Sequence, residues 1–270
     1  MELQDICSCK TAFYNNDVDG RPRALILLVH GLGEHAGRYR AWAERFNKAG
    51  ISFRSFDLPG HGQSAGRRGV MPPLERVYDM LDCILEGIAA DLDGVPLFIY
   101  GHSLGGGLVL NYLIRRKPDV RGAIVTSPWV RLTEEPPRAK VLLASLAKRL
   151  MPNMTQASGL NINSLSRDRE VAGLYRSDPL VHGMISAGLF ASMNDAAEET
   201  LARASEIRCP LLLAHGRDDM LTSPSGSVEV AGSVPSSTLK LWEGGYHELH
   251  NDLIKDEHFD FIIEWIDTLL

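Results

Sequence analysis

The sequence predicts an α/β fold: a mostly parallel sheet flanked by helices, with a helical cap inserted late in the chain. Three observations carry that prediction. Short aliphatic runs alternate with helix-like stretches, the pattern that builds parallel sheets through crossover helices. Most of the runs are continuous rather than alternating, as strands covered on both faces require. One interval between runs is far longer than the rest, which marks an insertion.

In chain order, the candidate strands are Cys9–Tyr14, Leu25–Val29, Ser52–Asp57, Leu97–Tyr100, Gly122–Thr126, Leu211–Ala214 and Thr238–Trp242. The helix-like stretches are Tyr39–Ala49, Leu74–Asp91, Leu104–Arg116, a segment after Thr222, and Asp252–Leu270. The interval from Trp129 to Ile207 breaks the rhythm. The chain is therefore divided into a core over residues 1–128, a cap over 129–206, and the rest of the core over 207–270. Within the cap, Pro136–Met151 places Leu142, Leu143, Leu146 and Leu150 at helical spacing among Arg138, Lys140, Lys148 and Arg149. It reads as an amphipathic helix packed on the domain, with contact to a lipid surface as the alternative.

The 270 residues include 28 Lys+Arg and 34 Asp+Glu, a formal net charge of −6, and 44% are hydrophobic. A chain of this length typically buries about 75% of its unfolded surface, so one domain with an insertion is expected. The 25 glycines and 14 prolines are too few for a low-complexity chain. The acidic balance lacks the basic face that nucleic-acid binding needs. The cysteines at 7, 9, 83 and 209 form no paired CxxC and have no histidine at metal-ligand spacing, so no metal site is expected. In a strand, Cys7 and Cys9 share a face and are badly placed to bond to each other. Reduced thiols in a cytoplasmic protein are the simple expectation. The first residues, MELQDICSCK, lack the basic start and apolar run of a signal peptide. The run Ala24–Val29 falls far short of the ~18 to 20 apolar residues of a membrane span, which leaves peripheral contact at most.

The sharpest chemical signal is Leu97-Phe-Ile-Tyr-Gly-His-Ser103-Leu-Gly-Gly-Gly, a buried strand running through G-x-S-x-G into a helix. In such a nucleophile elbow the serine occupies a strained turn at the carboxyl edge of the sheet, and the helix amino terminus behind it favours developing negative charge. A serine hydroxyl needs a base, and the base needs an orienting carboxylate; in an α/β-hydrolase they follow in the order Ser, acid, His. Both stand where they should. His215-Gly-Arg-Asp218-Asp219 follows one candidate strand, and Glu243-Gly-Gly-Tyr-His247-Glu-Leu-His250 follows the next. Spacing alone leaves Asp218 against Asp219 and His247 against His250 open. His215, ahead of a turn glycine, reads as structural. The oxyanion of the tetrahedral intermediate needs donors, and the amide of Leu104 is one. The loop His30-Gly-Leu-Gly-Glu-His nominates the Leu32 amide as the other. A second glycine-rich loop, Asp57-Leu-Pro-Gly-His-Gly-Gln-Ser64, reads as a turn that shapes the sheet edge.

Taken together, HGLGEHAGRY, FDLPGHGQSAGRRG, YGHSLGG, SDPLV, LLLAHGRDDML and KLWEGGYHELH resemble the monoacylglycerol lipase/lysophospholipase group of serine α/β-hydrolases. The resemblance implies a core sheet with a cap between the strands near 126 and 211. It places the acid on Asp219, the base on His247 and the oxyanion amides on Leu32 and Leu104. It also implies that Glu34, Arg38 and His250 contribute to the glycerol end of the pocket. In that group a first strand and hairpin are common, and the short amino terminus here leaves little room for them.

The expectation is a carboxylic-ester hydrolase that needs no metal or cofactor and cleaves monoacylglycerols or similar single-chain lipid esters through an acyl-enzyme. Lysophospholipase or general short- and medium-chain carboxylesterase activity is the alternative within the fold. Haloalkane dehalogenases and epoxide hydrolases share the fold but place Asp at the elbow, where this chain has Ser103. A non-catalytic binding protein is the reading from outside enzymology, and it gives no reason to keep nucleophile, acid and base in this order. The partners expected are a small lipid ester and, transiently, a membrane surface met through the cap.

Overall fold

Eight strands share one sheet in a computed structural model that describes residues 1–92, 94–134, 137, 139 and 146–270. In chain order the strands are β1 (Glu2–Ile6), β2 (Cys9–Asn16), β3 (Ala24–Val29), β4 (Ile51–Phe56), β5 (Leu97–His102), β6 (Gly122–Thr126), β7 (Thr155–Ala157), β8 (Met184–Ser186), β9 (Leu211–Gly216) and β10 (Ser237–Trp242). The α-helices are α1 (Arg40–Lys48), α2 (Leu74–Asp91), α3 (Leu104–Arg115), α4 (Arg169–Ser177), α5 (Ala187–Arg203), α6 (Pro224–Ser233) and α7 (Lys255–Asp267). The large sheet runs β1-β2-β4-β3-β5-β6-β9-β10. It is parallel from β4 to β10, and β1 and β2 add an antiparallel edge.

The continuous aliphatic runs are buried on both faces. Along β3, Leu25, Leu27 and Val29 join the core layer that holds Val77 and Leu81 of α2 and Leu108 of α3. Ala24, Ile26 and Leu28, pointing the other way, meet Trp42 and Phe46 of α1 and Phe259 and Trp265 of α7. A period of two along a strand sandwiched between helices produces that split.

Two expectations at the amino terminus are corrected. A first strand does fit: β1 pairs with β2 from Glu2 opposite Phe13 to Ile6 opposite Cys9, closing a hairpin. Its turn residues, Cys7 and Ser8, have φ of 48° and 66°. Two positive φ values match the twist of a tight hairpin, but the usual Asn-Gly signal is missing, so the sequence hides the turn. Only Ile6 of β1 is buried, which leaves no alternating pattern to read. The cysteines are not all reduced either. Cys7 is disulfide-bonded to Cys83 of α2, 76 residues away, and Cys9 and Cys209 are free. No local spacing announces a pair that distant, and the thiol argument for a cytoplasmic setting falls with it.

Between β6 and β9 the described residues include an antiparallel ribbon of β7 and β8 and the helices α4 and α5. Asp168 caps α4 by accepting from Glu170 N, and Ser186 caps α5 by accepting from Leu189 N. The helix expected over 136–151 lies largely outside the described residues; residues 146–150 are helical. The stretch from Asp178 to His182 is latched onto the loop after β3. His182 N donates to Gly33 O at 2.8 Å, and His35 Nε2 donates to Asp178 Oδ2 at 2.8 Å. Asp178 is the acid of the SDPLV stretch, so that motif serves to dock the insertion.

Candidate active site

Ser103 stands between β5 and α3 with φ 54° and ψ −117°, a backbone region that L-residues rarely occupy. The surroundings impose it. A Cβ on Gly105 would lie 2.0 Å from the carbonyl oxygen of Val29, so helix and strand backbones meet there with no room for a side chain. Although Ser103 holds the N-cap position of α3, its hydroxyl makes no capping bond and is left for chemistry.

The structure brings Ser103, His247 and Asp219 together from three separate loops. Ser103 Oγ lies 2.9 Å from His247 Nε2, and His247 Nδ1 lies 2.7 Å from Asp219 Oδ2. Asp219 is buried, and its carboxylate also accepts from Leu221 N at 2.8 Å, Thr222 N at 3.1 Å and the Thr222 hydroxyl at 3.0 Å. Asp218, its neighbour, is exposed. His215 Nε2 reaches Asp219 Oδ2 at 3.1 Å from behind, the structural place its sequence context indicated.

Burial alone would raise the Asp219 carboxyl, but His247 and His215 overcome it and hold the group well below the usual carboxylate range. Burial alone would lower the His247 imidazole; the Asp219 charge outweighs it and raises the ring above the ordinary 6.5, with Glu248 and Glu34 adding to the effect. His102, adjacent to Ser103, is pushed well down by burial and bonds Thr126 Oγ1 at 3.0 Å through Nδ1.

The loop after β3 is pinned on both sides of Gly31. Its N–H donates to Glu34 Oε1 at 2.6 Å. Its carbonyl lies 2.8 Å from His30 Nδ1, while His30 Nε2 accepts from Leu58 N at 2.9 Å, so the ring proton sits on Nδ1. The Gly31 carbonyl and the Leu32 N–H belong to one planar peptide unit, and holding the first aims the second. The loop lies against the elbow: a Cβ on Gly31 would be 3.2 Å from Ser103 Cβ. The Leu104 N–H opens α3 and belongs to the first turn, which lacks intrahelical partners.

Glu34, Arg38 and His250 are also brought close to this centre, though in different states. Glu34 and Arg38 are bonded to each other at 2.7 Å, and Arg38 grips Glu248. His250 stacks on Tyr39 at 4.5 Å between ring centroids and lies 5.1 Å from the His102 ring. It is buried, and both its ring nitrogens lack a partner among the described residues. Burial lowers its imidazole to about 4.

Sequence reasoning passed over Glu248, which holds Arg38, and Thr222, which braces Asp219. Glu248 stood in the open beside His247; its meaning depends on a partner 210 residues away. The loop from Asp57 to Ser64 does shape the edge, since Asp57 accepts from Ala36 N at 2.8 Å and Gln63 N at 2.7 Å.

A sheet of this order, with a serine elbow, a histidine and a carboxylate at its carboxyl edge, defines a serine α/β-hydrolase. The chain belongs to the family Hydrolase_4 (serine aminopeptidase, S33), which matches residues 20–254. Over 91% of its length it is 40% identical to an abhydrolase domain-containing protein of Dictyostelium discoideum, of which it spans 26%. It is 32% identical to a monoacylglycerol lipase of Mycolicibacterium smegmatis, over 92% of this chain and 89% of that protein. Among solved structures it is similar to the monoacylglycerol lipase of Paleococcus ferrophilus, with a TM-score of 0.89, 34% identity and all of both chains covered.

Proposed function

We propose that this chain is a carboxylic-ester hydrolase that cleaves monoacylglycerols or similar single-chain lipid esters through an acyl-enzyme. The observation that carries the reading is the 2.9 Å contact of Ser103 Oγ with an imidazole whose other nitrogen is held at 2.7 Å by a buried carboxylate. Neutral His247 takes the proton as Ser103 Oγ attacks the ester carbonyl, and Asp219 keeps the proton of the resting ring on Nδ1 and balances the imidazolium. The Leu32 and Leu104 amides receive the oxyanion, each worth on the order of 10²–10³ in rate. The alcohol leaves with the proton from His247. Water, deprotonated by the same base, then attacks the acyl-enzyme and releases the fatty acid.

The monoacylglycerol lipases to which the chain is similar support a glycerol leaving group. Of the three residues assigned to the glycerol end, His250 is the one whose ring nitrogens, though buried, have no protein partner among the described residues, and as a neutral ring it can donate from one and accept at the other. Glu34 and Arg38, assigned to the same end, are already engaged with protein partners. Such substrates sit in aggregates or bilayers, and peripheral contact with a lipid surface through the cap belongs to the proposal. Leu146, Leu150, Met151 and Met154 are 54%, 72%, 53% and 47% exposed, with Lys148 and Arg149 among them. No helix of the described residues is long and apolar enough to cross a membrane.

The test is a panel of monoacylglycerols, lysophospholipids and p-nitrophenyl esters of graded chain length. The highest kcat/KM is expected for a medium- or long-chain monoacylglycerol. A strong preference for lysophospholipid, or for acetyl esters, would overturn the substrate assignment.

A further inference from the structure

Arg38 sits where three parts of the molecule meet. Its Nη1 donates to Glu34 Oε2 and to Glu248 Oε1, each at 2.7 Å, and its Nη2 donates to Glu248 Oε2 at 2.8 Å. Glu34 belongs to the loop that carries Leu32 and holds Gly31 N at 2.6 Å. Glu248 directly follows His247 in the chain. The guanidinium also lies 4.8 Å from the centre of the Tyr175 ring of α4, in the insertion. The Glu34 and Glu248 side chains are buried, with relative exposures of 4% and 2%, and Arg38 is largely covered at 10%.

The remaining carboxylate valences are filled from within the protein. Tyr39 Oη donates to Glu34 Oε1 at 2.8 Å, and Asn251 Nδ2 to Glu248 Oε2 at 2.7 Å. The backbone of Glu248 is fixed as well, its N–H donating to Leu165 O at 2.7 Å. A buried guanidinium shared by two carboxylates is costly to assemble, and one bidentate grip fixes orientation as well as distance. Glu248 takes two of the three guanidinium bonds and keeps its charge, whereas burial and the neighbouring Glu248 push the Glu34 carboxyl up.

We propose that Glu248 is a positioning residue of the hydrolytic site, joining the His247 loop to the oxyanion loop through Arg38 and holding a buried negative charge directly after the histidine in the chain. The proposal rests on the hydrolase reading above and adds a residue that the Ser103, His247 and Asp219 set does not contain. Its geometric consequence is a constant distance between base and oxyanion donors, which lie on loops that are far apart in sequence. Its electrostatic consequence is support for the imidazolium that forms when Ser103 is deprotonated. Burial opposes the Glu248 charge, but Arg38 more than restores it and brings the carboxyl down to about 2.

The groups around His247 are Asp219 and Thr222 beyond β9, His215 behind Asp219, Ser103 and His102 at the elbow, Glu34 and Arg38 of the oxyanion segment, and Glu248 and His250 on its own loop. Burial drives His102 and His250 down, so near neutral pH both are uncharged. Of the charges that raise the ring, Asp219 is the largest and Glu248 the next, with Glu34 behind them.

The experiment compares pH profiles of kcat/KM on a soluble short-chain monoacylglycerol for the full chain, Glu248→Gln and Glu248→Asp, each shown to melt cooperatively. Removing a negative charge makes His247 less basic, so Glu248→Gln should move the acid limb down by about 0.5–1 pH unit. Its kcat should fall by about tenfold with KM little changed, the mark of an interaction made in the transition state. Glu248→Asp keeps the charge and withdraws the carboxylate, so kcat should fall while the limb stays. Wild-type limb and kcat in Glu248→Gln, or activity loss in both variants with neither limb moved, would overturn the proposal. Should Glu248→Gln not fold, wild-type kcat in Glu248→Asp overturns it alone. Fluorophosphonate labelling of the wild type separates the levels: a chain that is neither labelled nor active fails as a serine hydrolase, and the proposal falls with it.

Discussion

Asp219 Oδ2 lies 2.7 Å from His247 Nδ1, whereas the adjacent Asp218 points to solvent. The tight turn after β9 separates two chemically identical neighbours by burial. Asp219→Asn would offer an amide where the ring needs an acceptor and would favour the wrong tautomer. A loss in kcat of up to ~10⁴ is expected, with Asp218→Asn within about twofold of wild type, as an exposed carboxylate that faces solvent should be. Steady-state kinetics on the two variants decide it, and the opposite ordering would show that the other aspartate is the acid.

The closeness of Gly105 to Val29 predicts a steric limit on the elbow. Gly105→Ala would push a methyl to 2.0 Å from a backbone oxygen, and a backbone cannot yield as a side-chain end can. The destabilisation should exceed the usual ~1–3 kcal/mol of core overpacking, read by urea denaturation. Gly87 in α2 supplies the contrast, since it is exposed and a Cβ added there would meet nothing within 4 Å. Gly87→Ala should stabilise the fold by up to ~1 kcal/mol. Equal effects of the two changes would contradict this packing.

The pH dependence follows from the sign of the His247 shift. The ring must be neutral to accept the Ser103 proton, and Asp219 raises it above the ordinary 6.5. As pH falls through that raised value the base is protonated and kcat/KM declines, so the acid limb should have its midpoint above 6.5. A stopped assay over pH 4.5 to 9 on a soluble ester measures it. Full activity persisting at the acid end would contradict a histidine base.

Much of this was legible in the sequence because the responsible signals are local. The run Leu97–Tyr100 into Gly101-His102-Ser103-Leu104-Gly105 contains its strand, its turn and its helix start within a few residues, and the fold places β5 and α3 there. The parallel strands announced themselves through burial on both faces. What was not legible depends on partners far along the chain or on solvent exposure. Ile6 alone cannot announce β1, and Cys7 with Ser8 disguises its turn. Asp218 and Asp219 differ only once the loop is folded. Glu248 acquires its role from Arg38, and the Asp178 of SDPLV from His35.

The central claim is that Ser103 is the nucleophile. It is tested most directly by fluorophosphonate labelling of the wild type and of Ser103→Ala, with hydrolysis of a monoacylglycerol followed in the same samples. The account predicts stoichiometric labelling and turnover in the wild type and loss of both in folded Ser103→Ala. Labelling or turnover retained in that variant would contradict it.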